Sequence, residues 1–145
     1  DVSPPAGIFE RRMGEGRDRF CVVGSGDGAW RFAAELMTPE NGRCLTSGQL
    51  RLADAKDSED GQARQSWKLR FRGKEGCEVD ALTEGDILVL PDHLPAACSH
   101  ICAGRVNLQG AELERTSWAE PEARALRLRG ADGSIWTDCG NKKAK

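Results

Sequence analysis

Between Trp67 and Arg115 apolar and polar side chains alternate with the two-residue period of a β-strand. Trp67, Leu69 and Phe71 fall on one face, and Lys68, Arg70 and Arg72 on the other. The run Cys77–Ala81 repeats the pattern, with Val79 and Ala81 opposed to Glu78 and Asp80. Antiparallel pairing brings like faces together, which constrains the turn between the two strands. A four-residue loop over Gly73–Gly76 would oppose Arg70 to Val79. A loop of about five residues, or a bulge, instead pairs Phe71 with Val79, Leu69 with Ala81, Arg70 with Asp80 and Arg72 with Glu78. A tight turn at Glu84-Gly85 then sets Ala81 opposite Leu88 and Val79 opposite Leu90. Another at Gln109-Gly110 sets Leu108 against Ala111, Val106 against Leu113 and Arg105 across from Glu114.

The upstream chain reads the same way. Asp1–Gly7 is an extended lead-in containing Pro4-Pro5, and 8–12 is a short edge strand. A turn over 13–18 precedes the apolar run Arg19-Phe-Cys-Val-Val-Gly24. A hairpin on Asp27-Gly28 leads into Trp30, Phe32, Ala34 and Leu36, which alternate inward. Residues 43–54 form a strand with Leu50 and Leu52 inward and Arg51 outward. The polar segment 55–65 has no apolar face, which predicts a mobile surface loop.

Past the meander, Ser117-Trp-Ala-Glu120 has the form of a capping box, followed by Pro121. One short helix near 118–129 is expected, ending at Gly130. Asp132-Gly133 turns the chain into a closing strand, 134–139, pinned by Cys139. The fold class expected is mainly β: an antiparallel meander closing into a small barrel or sandwich of about eight strands. Residues 1–140 would form one domain and 141–145 a disordered tail.

The segment Gly24-x-Gly26-x-x-Ala29, after an apolar run and before Ala33-Ala34-Glu35-Leu36, has the outline of a dinucleotide-binding turn. That chemistry needs a helix from Ala29 and an acid ending a second strand about 20 residues on. The stretch Gly42–Gly48 offers no such acid and the downstream chain is antiparallel in character, so the hairpin is the better reading and no cofactor is expected.

Composition adds a compartment and removes several partners. The 145 residues hold 21 basic and 23 acidic side chains, interspersed, for a net charge of −2, so no general affinity for polyanions follows. The row Lys68, Arg70, Arg72 and Lys74 lies beside Glu78 and Asp80, and no aromatic ladder interleaves with it, so no nucleic acid is expected. No apolar run of about 18 residues occurs, which argues against a transmembrane helix. Six cysteines, Cys21, Cys44, Cys77, Cys98, Cys102 and Cys139, form no Cys-x-x-Cys pair. Their even number favours disulfides and an oxidising compartment, with the connectivity left open. A chain that begins at Asp1 also fits signal-peptide removal, or trimming.

Both histidines, His93 and His100, lie within ten positions of Cys98 and Cys102. The spacing Cys98-x-His100-x-Cys102 is unusual for zinc, and a short helical turn after Pro95 tied by two disulfides explains the same residues, so no metal is expected. Cysteine or serine nucleophilic catalysis lacks a supporting motif, and no catalytic residue is assigned.

The segments Arg19-Phe-Cys-Val-Val23, Gly76-Cys77, Leu94-Pro-Ala-Ala-Cys98 with Cys102 and Gly104, and Asp138-Cys-Gly140 together resemble small exported proteobacterial domains of unknown function. That resemblance implies a periplasmic or secreted location and no activity. In size, export and strand content the chain is also similar to periplasmic lysozyme inhibitors, whose serine-glycine loop has a counterpart in Ser25-Gly26. The expected function is a non-catalytic binding or inhibitor module with a protein partner in the envelope. It would act through Ser25, Gly26, Asp27 and Trp30, the loop 55–65, or the segment bearing His93 and His100. The alternatives are a small-ligand carrier with an open barrel mouth lined by Trp30, Phe32, Trp67 and Leu69, and a hydrolase using His93 or His100 with a carboxylate.

Overall fold

Alternation of apolar residues produces strands along most of the chain, and eight of them pair in sequence order before the last returns to the first. They are β1 (Gly7–Met13), β2 (Gly16–Gly24), β3 (Trp30–Met37), β4 (Arg43–Asp57), β5 (Ala63–Phe71), β6 (Glu78–Glu84), β7 (Ile87–Val89) and β8 (Glu112–Ser117). The result is a closed antiparallel barrel. The structure is a computed structural model that describes residues 5–26, 28–39, 42–57, 63–73, 75–102, 106–130 and 135–139, with only the backbone at 54–57, 63 and 135–138. Asp27, Lys74, Gly104, Arg105, the Asp132-Gly133 turn and the tail 141–145 lie outside the described residues.

The barrel interior is filled by inward side chains. Phe20 stacks on Phe32 at 4.9 Å between ring centroids, Phe32 meets Phe71 edge-on at 5.1 Å, and Phe9 meets Trp67 edge-on at 5.7 Å. Leu69, Val79 and Leu88 are fully buried beside them. Burial of rings and branched chains at this density is the main stabilising term for such a fold.

The run Phe20–Val23 is apolar on both faces because both are covered. Phe20 and Val22 face the interior, while Cys21 and Val23 join Ile8 and Ala33 on the outer wall. Over that wall lies a second layer made of α1 (Glu120–Ala125) and the two-stranded sheet of β9 (Arg127–Arg129) with β10 (Ile135–Asp138). Ala123 and Leu128 pack into the outer cluster, and Cys21–Cys139 ties the layer to β2. The Glu35 carboxylate, outward on β3, accepts from the Arg129 backbone N–H at 2.7 Å and from Arg43 at 3.1 Å.

Strand direction gives the barrel two distinct ends. The β2–β3, β4–β5 and β6–β7 connections and the exit from β8 share an upper rim. The β1–β2, β3–β4 and β5–β6 turns share a lower rim with the long connection from β7 to β8. That connection plugs the lower end: Cys98, Ile101 and Leu108 join the interior core. A 3₁₀ turn at Ala96–His100 follows Pro95, and the disulfides Cys77–Cys98 and Cys44–Cys102 hold it down, as the sequence predicts.

Several expectations need correction. The faces of β5 and β6 are as expected, but their register is displaced: Leu69 faces Val79, Trp67 faces Ala81, Lys68 faces Asp80 and Arg70 faces Glu78. The connection is 72–77, closed by the Phe71 N–H donating to the Cys77 carbonyl at 3.2 Å, and Cys77 is bonded to Cys98. The next turn is Gly85-Asp86, with Gly85 at φ 60°, so that Thr83 faces Leu88. The Gln109-Gly110 turn forms as expected, with the Ala111 N–H donating to the Leu108 carbonyl at 3.1 Å and Gly110 at φ 66°, but no strand lies among the described residues 106–111, so the ladder setting Val106 against Leu113 does not follow. Leu88 pairs with Leu113, and the other neighbour of β8 is β1, so 8–12 is no edge strand. The polar segment 55–65 is not a loop throughout; β4 and β5 continue to Asp57 and Ala63, leaving 58–62 outside the described residues.

The helix stops at Ala125, where Leu126 turns extended, and the chain continues as β9. The Ser117 hydroxyl accepts from the Ala119 N–H at 3.1 Å, but Ala119 is the N-cap and no side chain caps the helix.

Candidate functional site

The upper rim gathers most of the residues to which sequence reasoning pointed. Ser25 and Gly26 are exposed at the tip of the β2–β3 hairpin, where the Ser25 N–H donates to the Ala29 carbonyl at 3.0 Å and the Ala29 N–H to the Gly26 carbonyl at 3.1 Å. Gly26 and Gly28 adopt φ of 93° and 73°, which a glycine accommodates without strain. Asp27 lies outside the described residues. Trp30 is half-buried at the base of the hairpin. The β4–β5 hairpin rises from the same rim. His93 and His100 do not join this group; both are exposed on the lower-rim connection, at the opposite end of the barrel.

The hairpin base is braced from the second layer. The Gly24 N–H donates to the Glu120 carboxylate at 3.0 Å, and the Arg124 guanidinium donates to the Gly24 carbonyl at 2.8 Å and to Glu120 at 2.6 Å. The Gly24 N–H holds the Glu120 carboxyl below its ordinary value of 4.5, against the opposing effect of burial and with further help from Arg124.

Sequence reasoning missed Arg115. It occupies an inward position of β8, two residues past buried Leu113, and is itself buried. Its guanidinium sits 4.6 Å from the Phe9 ring centroid and 3.7 Å from that of Trp118. Burial pushes the guanidinium down to about 10, and the Asp86 carboxylate pulls it back up. A charged residue at a core position of a strand was the available signal. Trp118, 51 % exposed, and Leu52, 36 % exposed, are the large apolar side chains most open to solvent among the described residues, and both belong to the upper rim. A column of stacked groups runs from Trp118 through Arg115 and Phe9 to Trp67, whose cross-strand partner is Leu52.

Other features offer less. The barrel interior is packed with side chains, which opposes the carrier alternative: Phe32, Trp67 and Leu69, expected at an open mouth, are buried in the core. All six cysteines are paired in disulfides, so none supplies a thiolate to a metal or a nucleophile. Among the described residues no group of three or more His, Cys, Asp and Glu side chains is placed to hold a metal ion. A depression of about 850 Å³ lies where β4 meets the β5–β6 turn, but Arg70 and Glu78 at its edge pair with each other at 3.5 Å. The cationic row of β5 is matched as expected in kind, with Lys68 on Asp80 and Arg70 on Glu78. No helix among the described residues is long and apolar enough to cross a membrane.

The chain matches no protein-family model, no curated protein and no solved structure. The geometry of the rim therefore stands alone as the basis for a functional reading.

Proposed function

We propose that the protein is a non-catalytic binding or inhibitor module of the cell envelope, periplasmic or secreted, and that the upper rim meets a protein partner. Three disulfides support export, because such bonds persist in oxidising compartments. The observation that carries the reading is Trp118, exposed and stacked on a buried arginine. Tryptophan and arginine are enriched among binding hot spots, and tryptophan buries a large rigid surface at little entropic cost. Leu52 and the braced Ser25–Gly28 hairpin extend the surface, and bracing reduces the ordering lost on association.

Capture from envelope extract by the oxidised protein tests the reading. A partner retained by the wild type and lost with Trp118→Ala is expected; equal capture by both, or none by either, overturns it. Thiol counting by mass spectrometry on protein from its native compartment should find no free cysteine, and six free thiols would contradict export. Assay of the same preparation against a purified lysozyme separates an inhibitor of that enzyme from a binder of another protein.

A further inference from the structure

The β4 strand outruns its neighbour. The β3–β4 ladder ends where Trp30 faces Leu50, whereas the β4–β5 ladder continues to Asp57 and Ala63. Among the described residues, 51–57 thus have a strand on one side only.

The direction of the backbone groups along that side follows from two bonds. The Arg72 N–H donates to the Ser47 carbonyl at 2.8 Å, so Ser47, Gln49 and Arg51 turn their peptide groups toward β5. By alternation Gly48, Leu50 and Leu52 turn theirs toward β3. The Ser25–Ala29 bond agrees, since it turns Ala29 and Arg31 toward β2 and leaves Trp30 and Phe32 for β4. Past the end of β3, the same alternation turns the N–H and C=O of Leu52 away from β5, to the side where no described strand pairs with it. A bulge separates Leu52 from Ala55, and the Ala53 carbonyl accepts from Gln65 Nε2. The open ladder is therefore short, which suits one added segment better than edge-to-edge stacking of two barrels.

Side chains beside the open edge differ by face. Toward the interior stand Leu52 and Trp30. On the outer face Arg51, 69 % exposed, and Arg70, 70 % exposed, share the single carboxylate of Glu78 at 3.9 and 3.5 Å. A cleft of about 230 Å³ at this junction is lined by Trp30, Leu50, Arg51, Lys68, Arg70 and Glu78; with Lys68 paired to Asp80, Arg51 and Arg70 stand there against the one carboxylate of Glu78.

Building on the rim reading, we propose that the free edge of β4 takes an extended acidic segment of the partner as an added strand. The segment alternates apolar side chains, laid on Leu52 and Trp30, with carboxylates laid on Arg51 and Arg70. Main-chain bonds supply the attachment and the alternation supplies the choice of sequence.

The test measures fluorescence anisotropy of a labelled peptide of alternating valine and glutamate. The expected result is binding by the wild type and a loss of about tenfold for the valine–lysine peptide. N-methylation of alternate amides should abolish binding. Leu52→Pro, which deletes the outward donor, should weaken binding about tenfold or more, while Leu52→Ala, which keeps it, weakens it less. Equal losses in the two variants overturn the proposal. Should Leu52→Pro fail to fold, Arg51→Glu must reverse the preference between the two peptides, and an unchanged preference overturns it. A dimer seen by light scattering and dissociated by Leu52→Pro assigns the edge to self-association and also overturns it. Absent peptide binding alongside Trp118-dependent capture sinks the added strand and spares the rim reading; peptide binding without such capture does the reverse.

Discussion

The N–H of Gly24 and the carboxylate of Glu120 meet at 3.0 Å across 96 positions of chain, joining the last residue of β2 to the first residue of α1. Arg124, one helical turn on, closes the bracket by donating to the Gly24 carbonyl. The base of the Ser25–Gly28 hairpin is thus fixed by an ion pair outside the barrel.

Its pH dependence follows from the lowered Glu120 carboxyl, whose main cause is the Gly24 bond. A carboxyl depressed in the folded state contributes stability that is fully present above the unfolded value of 4.5 and lost as pH falls through the lower folded value. Followed by NMR, the Gly24 amide should shift with a midpoint below 4.5 and stay flat in Glu120→Gln. A midpoint at or above 4.5 would contradict the bracket.

Gly48 sits where β4 leaves no room for a side chain beside β5. A Cβ there would stand 2.0 Å from the Arg70 carbonyl oxygen and 2.9 Å from the Phe32 ring, and neither can withdraw. Gly48→Ala should lose about 3 kcal/mol or more in urea denaturation, at the upper end of overpacking effects. Gly16→Ala is the internal control. Its nearest obstacle is the flexible Met37 thioether at 2.7 Å, so about 1 kcal/mol is expected. Equal losses would contradict the backbone contact.

How much of this was legible in the sequence depended on which physical signal each feature leaves. The period-two pattern marked the inward faces of β3 and β5, because interior burial is written into side-chain parity. Registers were harder. Displacement of β5 against β6 preserves every face, so side-chain parity cannot choose between the two registers. Continuation of β4 and β5 to Asp57 and Ala63 left no trace, because the polar run 55–65 has no apolar face to display. The second layer was not read, although the apolar residues on both faces of Phe20–Val23 are the mark that cover on the outside leaves. Of the site, the Ser25–Gly28 hairpin was visible through its glycines. Arg115 was not seen, since a lone arginine on a strand reads as solvent-facing until its parity is counted.

The disulfides divide the labour between the two ends. Cys77–Cys98 closes a span of 21 residues and Cys21–Cys139 one of 118, so loop-closure entropy assigns about 3 and about 5 kcal/mol to them. Their loss should differ in kind as well. Cys21→Ala with Cys139→Ala frees the outer sheet of β9 and β10 while Trp67 keeps its native fluorescence. Cys77→Ala with Cys98→Ala loosens the lower-rim plug and exposes the interior to a hydrophobic dye. Dye binding in the first variant rather than the second would reverse the assignment.

Arg115 tests what the stacked column contributes. A guanidinium lowered by burial to about 10, well below its ordinary value, binds its proton less tightly in the folded chain than in the unfolded one. The sign is therefore unfavourable: holding the charge opposes folding across the neutral range, and the opposition eases only as pH rises between the folded and unfolded values. Contact with Phe9 and Trp118 offsets part of that loss. Arg115→Met fills a similar volume between the same rings without a charge, so its stability in urea should equal or exceed the wild type's. Arg115→Ala leaves a void beside Phe9 and should lose about 2 kcal/mol or more, whereas Trp118→Ala, trimming an exposed ring, should lose about 1 kcal/mol at most. An Arg115→Met protein as unstable as Arg115→Ala would show that the charge itself holds the upper end of the barrel together, and the column could not then be read as a surface kept for a partner.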